Sequence, residues 1–516
     1  MLQVSPERDQ QFRRMRDVAR EIFSAALKNA SIESAFSRHL RCERGVLRIC
    51  EDLYDLNSYN RVLVVSIGKA AHTMAAALEA QVGSRLEGIV ASSAGPAGLD
   101  SVSRDSANPN SASQNSASLN SANPNSVSRA STGQVRGFRY FFGGHPTPTA
   151  ESIHAAEAIL KSLGSLDANS LAIFLLSGGG SSIVEKPIEA EISLADLVAT
   201  YRALVHSGAP IAAINAIRKH LSAVKGGRLA QAAYPAQQVS ILVSDVPDST
   251  PDALASGPTM PDSTSIYDCE RIAAEYNLVV QFPPSVADLF RQRPSLLEET
   301  PKSDDPAFVR ARWWTVLSNK VALEEAAAAA AHAGFAVEID NSCDDWDYEK
   351  AADYLLRRLR EFRSKAPRVC LLSGGEVTVT VRNGGVGGRN QQFALACAEK
   401  ISGDDITVLS AGTDGIDGNS PAAGAVADGS TLLRTGNNEG DRDGGLAANH
   451  PSTLNHSSQP KPGCLGAPIP GALGTPGARQ SLAAFNGFPF FEALGDAILI
   501  GPTGNNLRDL RILLAY

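Results

Sequence analysis

Seven cysteines in 516 residues form no CxxC pair, and an odd number leaves no complete disulfide framework. Cys42, Cys50, Cys269, Cys343, Cys370, Cys397 and Cys464 are scattered, which also removes the paired spacing of a structural zinc site. Long hydrophobic runs are missing too. Stretches such as Leu171–Leu176 and Ala497–Ile500 are far shorter than the roughly 20 residues that cross a bilayer, so no membrane partner is expected. The start of the chain, with Pro6, Arg8 and Asp9, lacks the apolar core and small-residue cleavage site of a secretory signal, and a cytoplasmic protein is expected. Nor is there a basic excess. With 47 lysines and arginines against 55 acids the net charge is −8, which provides no field for nucleic acid. An anionic substrate would have to be held by a few local cations and helix ends.

Three familiar glycine signatures are also lacking. No GxxxxGK(S/T) phosphate loop occurs, no GxGxxG dinucleotide fingerprint follows a strand, and Ser177–Ser182 does not supply the GxSxG of a nucleophile elbow.

What is present is length enough for two domains and a repeated grammar. Apolar runs meet glycines and are followed by helical patterns. The runs are Val62–Ile67, Leu171–Leu176, Val239–Val243, Val369–Leu372 and Ile406–Leu409. Continuous rather than alternating apolar character predicts strands buried on both faces, as in a parallel sheet flanked by helices. Ligands of such sheets lie beyond the carboxyl ends of the strands, where the glycines are. Phe12–Ala30 has helical apolar spacing. Asn319–Gly334 reads as a helix with its glycine cap, leading into a strand at Phe335–Ile339. The charged, proline-containing stretch Arg291–Pro306 suggests a junction, giving an N-terminal domain over 1–300 and a C-terminal one over 307–516. Two segments break the grammar: 99–134, rich in Ser and Asn, and 434–480, rich in Gly and Pro. Both read as flexible insertions without chemistry.

Several glycine loops carry candidate ligands. Ser177, Gly178, Gly179, Gly180, Ser181 and Ser182 end an apolar run and could cradle an anion with N–H groups and hydroxyls, or simply form a tight turn. Lys69 follows Ser66-Ile67-Gly68 at a helix start. There it is either an anion ligand or a solvated lysine. Taken as one helix, Ile211–Arg228 sets Asn215, Arg218, Ser222 and Lys225 along one narrow polar edge beside an apolar stripe, an anion-facing surface or a solvated face. Asp245, at the end of Val239–Val243, could hold Mg²⁺ or make an Asx turn; Asp248 is the weaker candidate. Arg389 is delivered to a helix start by four glycines, and its fork suits phosphoryl or carboxylate recognition. Glu376, which replaces the third glycine in the second Ser-Gly-Gly loop, is placed to meet a cation or a hydroxyl. Asp414, in the glycine-rich loop after Ile406–Leu409, could sit on a metal or on a substrate hydroxyl, and Asp245, Asp414 and Asp417 are candidates for accepting a proton.

In this order the motifs resemble the glycerate kinase family whose C-terminal half is the MOFRL domain. The matching stretches are SIGKAA (66–71), GGHPTPTAES (143–152), LLSGGGSS (175–182), INAIRKHLSAVKGGRLA (214–230), SDVPDSTPDALASGPTMPD (244–262), LLSGGE (371–376), GGRNQQ (387–392), AGTDGIDG (411–418), FFEALGDA (490–497) and GPTGNN (501–506). The resemblance implies two α/β domains, an N-terminal Rossmann-like parallel sheet with flanking helices and a C-terminal MOFRL-type domain, with a cleft between them. It implies ATP- and Mg²⁺-dependent phosphorylation of D-glycerate to 2-phosphoglycerate, with Lys69 and Arg389 as the active-site cations. A hydroxypyruvate reductase and a catalytically inactive metabolite binder are the alternatives. A homodimer is one expectation for the assembly.

Overall fold

Fifteen strands in three sheets are present among the described residues of the computed structural model, which are 5–83, 86–93, 135, 137–292, 298–381, 384–435 and 477–516. The chain divides into two compact units. One comprises Ser24–Ala329 with Pro502–Asp509, the other Met1–Phe23 with Ala330–Gly501 and Leu510–Tyr516.

The first unit opens with a small antiparallel sheet of β1 (Leu40–Glu43), β2 (Val46–Ile49) and β3 (Asp52–Asp55). Its main sheet contains β4 (Arg61–Ile67), β5 (Glu87–Ser92), β6 (Phe138–Phe142), β7 (Ser170–Ser177), β8 (Gln237–Val243) and β9 (Ala311–Leu317), in the order β6-β5-β4-β7-β8-β9. Every pairing in it is parallel. All eight residues of β7 are buried, because helices cover both faces and leave no place for a polar alternation. Leu63, Val65 and Ile67 of β4 and Phe174 and Leu176 of β7 share a core with Ala155, Ile159 and Leu163 of the helix Ala150–Leu163. A separate apolar cluster joins the helices Leu194–His206, Ile211–His220, Ile266–Glu275 and Pro284–Gln292. From β4 the chain builds outward to β6 and then returns to β7 on the other side. The gap between β4 and β7 is therefore the topological switch point, where ligands of such sheets bind.

The second unit contains β10 (Ala336–Ile339), β11 (Val369–Gly375), β12 (Ile406–Gly412), β13 (Gly424–Asp428), β14 (Ala497–Ile498) and β15 (Asp509–Ala515), in the order β10-β11-β15-β12-β13-β14. This sheet is mixed: β10 and β11 are parallel, whereas β13 runs antiparallel to both β12 and β14. Leu355 and Leu359 of the helix Tyr348–Arg363 and Phe393 of the helix Arg389–Lys400 pack with Leu371, Val408 and Leu513.

Three expectations change. The junction expected at 300–307 lies inside the first unit, because β9 pairs with β8 and extends the parallel sheet past that point. The second sheet departs from the parallel pattern read from Val369–Leu372 and Ile406–Leu409. The ends of the second expected insertion are helical, Arg434 closing the helix Thr431–Arg434 and Arg479 lying in the helix Ala478–Ala483. Segment 99–134 and residues 436–476 lie outside the described residues. Among the described residues the six cysteines are free thiols, and no helix is long and apolar enough to cross a membrane.

Candidate active site

The loops after β4 and β7 are tied together at the switch point. Gly68 has φ +124°, and a Cβ there would lie 2.3 Å from Ser177 Oγ, so only glycine lets the two strand ends meet. The Lys69 N–H donates to Gly178 O at 2.9 Å, and the Ala70 N–H donates to Ser177 Oγ at 3.1 Å. Ser177 is buried and its hydroxyl also reaches Ile67 O at 3.4 Å. It therefore acts as a latch between the loops rather than as an open donor. The Lys69 side chain is exposed and pairs with no carboxylate among the described residues. Its backbone is fixed while its ammonium can reach a ligand.

The rest of the glycine loop is packed from below. A Cβ on Gly178 would lie 1.9 Å from Asp245 Oδ2, and one on Gly180 would lie 2.8 Å from Ala255 Cβ. Gly179 has φ +80° and, with Ser181, is the partly open part of the loop. Ser181 Oγ lies 2.8 Å from Ser256 Oγ. Ala255 and Ser256 have φ of +51° and +61°, left-handed conformations that cost non-glycine residues about 1–2 kcal/mol each. Strain of this kind persists where surrounding structure enforces it. Here the Gly226 N–H, donating to Ser256 O at 3.0 Å, and the Gly227 N–H, donating to Gly257 O at 2.8 Å, hold the turn.

Asp245 follows β8 and is recessed behind Gly178. Burial pushes its carboxyl above the ordinary value, against the pull of its own N–H, Lys69 and Arg508. Arg508 escaped the sequence reading, as did His145. Arg508 is nearly buried, with φ +67°, in the loop that follows Gly501–Asn506, and no spacing rule singles it out. His145 Nδ1 lies 3.1 Å from Ser182 Oγ. The glycine pair preceding this histidine was its available signal.

The polar edge read over Ile211–Arg228 does not form as one helix. The helix ends at His220, and a separate short helix runs from Arg228 to Ala233. Lys225 is buried and ion-paired with Glu185, whose carboxylate also accepts from Tyr201 Oη and Ser222 Oγ at 2.5 Å each. Arg218 stands over the Tyr201 ring, 4.4 Å from its centroid. Asn215 is half-buried on the same helix. Lys225 is thus drawn into the core by a carboxylate, and Arg218 is drawn onto an aromatic face.

In the second unit the loops after β11 and β12 organise Arg389. Gly375 has φ +83°, and a Cβ there would lie 2.5 Å from Asp344 Oδ1, the same oxygen that accepts from the Glu376 N–H at 3.0 Å. Glu376 Oε1 pairs with Arg389 Nη2 at 2.9 Å, each side chain about one-third exposed. Asp414 accepts from the Ile416 N–H at 3.1 Å, making an Asx turn. Asp417 is buried and accepts from the Asn390 N–H at 3.1 Å and the Gln391 N–H at 2.9 Å. It caps the helix Arg389–Lys400 from a distant loop, where an anion is favoured. Asp417→Ala is expected to destabilise the protein by about 0.5–2 kcal/mol, read as a lower urea midpoint. An unchanged midpoint would remove the capping role.

Among the described residues no group of three or more His, Cys, Asp or Glu is arranged to hold a metal ion. The models of two families match the sequence: a domain of unknown function, DUF4147, over residues 18–291, and the MOFRL family over residues 369–459. The D-glycerate 2-kinase of Thermotoga maritima is 33% identical over 388 residues, 74% of this chain and 81% of that protein. A protein of Agrobacterium vitis, provisionally named a hydroxypyruvate reductase, is 35% identical over 378 residues, 72% of this chain and 76% of the relative. The crystal structure of a glycerate kinase from Thermotoga maritima superposes with a TM-score of 0.72 at 28% identity, covering 98% of this chain and all of the other. The chain belongs to the glycerate kinase family, with a DUF4147 region followed by a MOFRL region.

Proposed function

We propose that the protein is an ATP-dependent D-glycerate 2-kinase, forming 2-phosphoglycerate and ADP. The observation that carries this reading is the tie between Lys69 and the glycine loop at the switch point. A fixed backbone whose ammonium pairs with no described carboxylate, beside a partly open glycine, suits the stabilisation of charge on a transferring phosphoryl group. Gly179 and Ser181 are the members of the loop best placed to face phosphate oxygens. Ser177 and Ser182 support the loop from within. Arg389 has its guanidinium oriented by Glu376 and suits a carboxylate or phosphoryl oxygen pair.

Mg²⁺ carried in with the nucleotide would supply positive charge against the phosphates. A nucleotide-borne Mg²⁺ needs only one or two protein carboxylates. Asp245 fits that need: it is a desolvated carboxyl at a strand end beside the glycine loop. The described residues do not fit a metal caged by protein alone.

Full-length protein supplied with MgATP and D-glycerate is expected to release ADP and form 2-phosphoglycerate in equal amounts, identified by mass spectrometry. ADP release that does not depend on glycerate would sink this reading. The provisional name of the Agrobacterium vitis relative favours a second one, reduction of hydroxypyruvate, against which stands the missing dinucleotide fingerprint. NADH oxidation with hydroxypyruvate as fast as the kinase reaction would reverse the ranking.

A further inference from the structure

We infer that His145 is the group that takes the proton from the attacking hydroxyl, acting through its Nε2 at the rim of the glycine loop. The inference rests on the kinase reading above. It starts from how the chain brings this ring to the loop. β6 ends at Phe142, and Gly143-Gly144 then turn against the segment following the glycine loop. A Cβ on Gly143 would lie 2.0 Å from Ile183 O, and one on Gly144 would lie 2.1 Å from Thr147 O. The Gly144 N–H donates to Ser152 Oγ at 3.1 Å, and the Glu185 N–H donates to Ser152 O at 3.2 Å. Ser152 thus anchors both the histidine loop and the end of the glycine loop.

The ring sits beside the open glycine. From the Cβ position of Gly179, His145 Cε1 and Nδ1 are each 3.3 Å away and Lys69 Cγ is 3.1 Å away. The histidine and the lysine therefore flank the same point of the loop. The hydrogen bonds assign the tautomer. Ser182 Oγ lies 3.4 Å from Gly179 O, a carbonyl that can only accept. A hydroxyl that donates to this carbonyl accepts from His145 Nδ1–H, which the 3.1 Å separation of Nδ1 and Oγ permits. With its proton on Nδ1, a neutral imidazole has its lone pair on Nε2. His145 as a residue is exposed, which leaves the ring open to a ligand.

The surrounding charges keep the ring neutral. Although the residue is exposed, partial desolvation of the ring against the loop and then the Lys69 ammonium hold His145 below its ordinary value of 6.5, outweighing the Gly179 carbonyl. Beyond Gly178 stands Asp245 from the end of β8, and Arg508 from the closing loop acts on that carboxyl in turn. Other candidates for the role fit less well. Asp417 is committed to two backbone N–H groups of a helix end, and the desolvated Asp245 is better suited to a cation. In the step itself the hydroxyl oxygen bonds to the γ-phosphorus, and the bond from that phosphorus to the bridging oxygen breaks. The electron pair leaves on ADP and the hydroxyl proton moves to Nε2, from which water later takes it.

The test uses full-length His145→Gln with MgATP and D-glycerate. The expected kcat is about 10²-fold lower, within the range for loss of a general base, with both KM values little changed. The wild-type kcat should rise with pH through a group below 6.5 and then level off, and the variant should lose that limb. Added imidazole should restore part of the activity of His145→Ala. Wild-type kcat in His145→Gln, or an intact acid limb, overturns the assignment while leaving the kinase reading in place. A wild-type protein that does not phosphorylate glycerate overturns the kinase reading first. If the histidine variants fail to fold, Ser182→Ala decides. Loss of the tautomer-fixing hydroxyl should lower kcat by less than loss of the histidine does and displace the acid limb, and an unchanged profile overturns the role.

Discussion

Lys69→Met is expected to lower kcat for glycerate phosphorylation by about 10²–10³, the usual effect of removing one preorganised charge-stabilising donor. Stability should stay within about 0.5 kcal/mol of wild type, since the side chain is exposed and pairs with no carboxylate among the described residues. What holds the loop is the Lys69 backbone N–H on Gly178 O, which methionine retains. The change therefore separates the charge from the scaffold. An interaction made mainly in the transition state lowers kcat and kcat/KM together, whereas one made equally in the ground state raises KM alone. Steady-state kinetics with MgATP and D-glycerate varied in turn will distinguish these cases. A raised KM for ATP at unchanged kcat would make Lys69 a nucleotide anchor, and wild-type kinetics would take it out of the site.

The parts of the fold that could be read from the sequence are those where burial leaves a simple pattern. β4, β7 and β8 are largely covered on both faces, so they appear as apolar-rich runs without polar alternation. β6 lies at the edge of its sheet and is only partly buried, so Phe138–Phe142 carries no such run. β15 is fully buried yet contains Asp509 and Arg511, charges that hide it from a hydrophobic scan. Arg511 is accommodated there by the carbonyls of Gly374 and Gly375, at 2.5 and 3.1 Å. The site follows the same logic. Glycines announced the loops at 68, 178–180 and 387–388, because close backbone approach leaves a compositional mark. What each side chain meets across the sheet leaves none. Lys225 looked like part of a helical polar edge because Glu185, forty residues earlier, gives no local sign that it will draw the ammonium inward.

That pair supplies the other large expected effect. Lys225→Met should destabilise the first unit by about 3–5 kcal/mol, because it leaves the buried Glu185 carboxylate without its counter-ion. The double change Lys225→Met with Glu185→Gln should recover most of the loss. Glutamine keeps one oxygen to accept from Ser222, its amide N–H can donate to the Tyr201 hydroxyl, and no charge is left in the core. The single and double costs should therefore be far from additive, as expected for side chains in contact. A pH signature accompanies the pair. Burial, opposed by Glu185 and aided by Arg218, brings Lys225 down to about 8, whereas an unfolded lysine holds its proton to about 10.4. Between these values the unfolded chain binds more protons, so wild-type stability should rise with pH relative to the double variant. Urea unfolding from about pH 7.5 to 10 would show this. Because Glu185 directly follows the glycine loop, Lys225→Met should also raise the KM for ATP at temperatures where it remains folded. A penalty under about 1 kcal/mol would place the pair among solvent-screened ion pairs. In that case the attraction of Glu185 could not be what turns Lys225 inward beyond the end of the helix Ile211–His220.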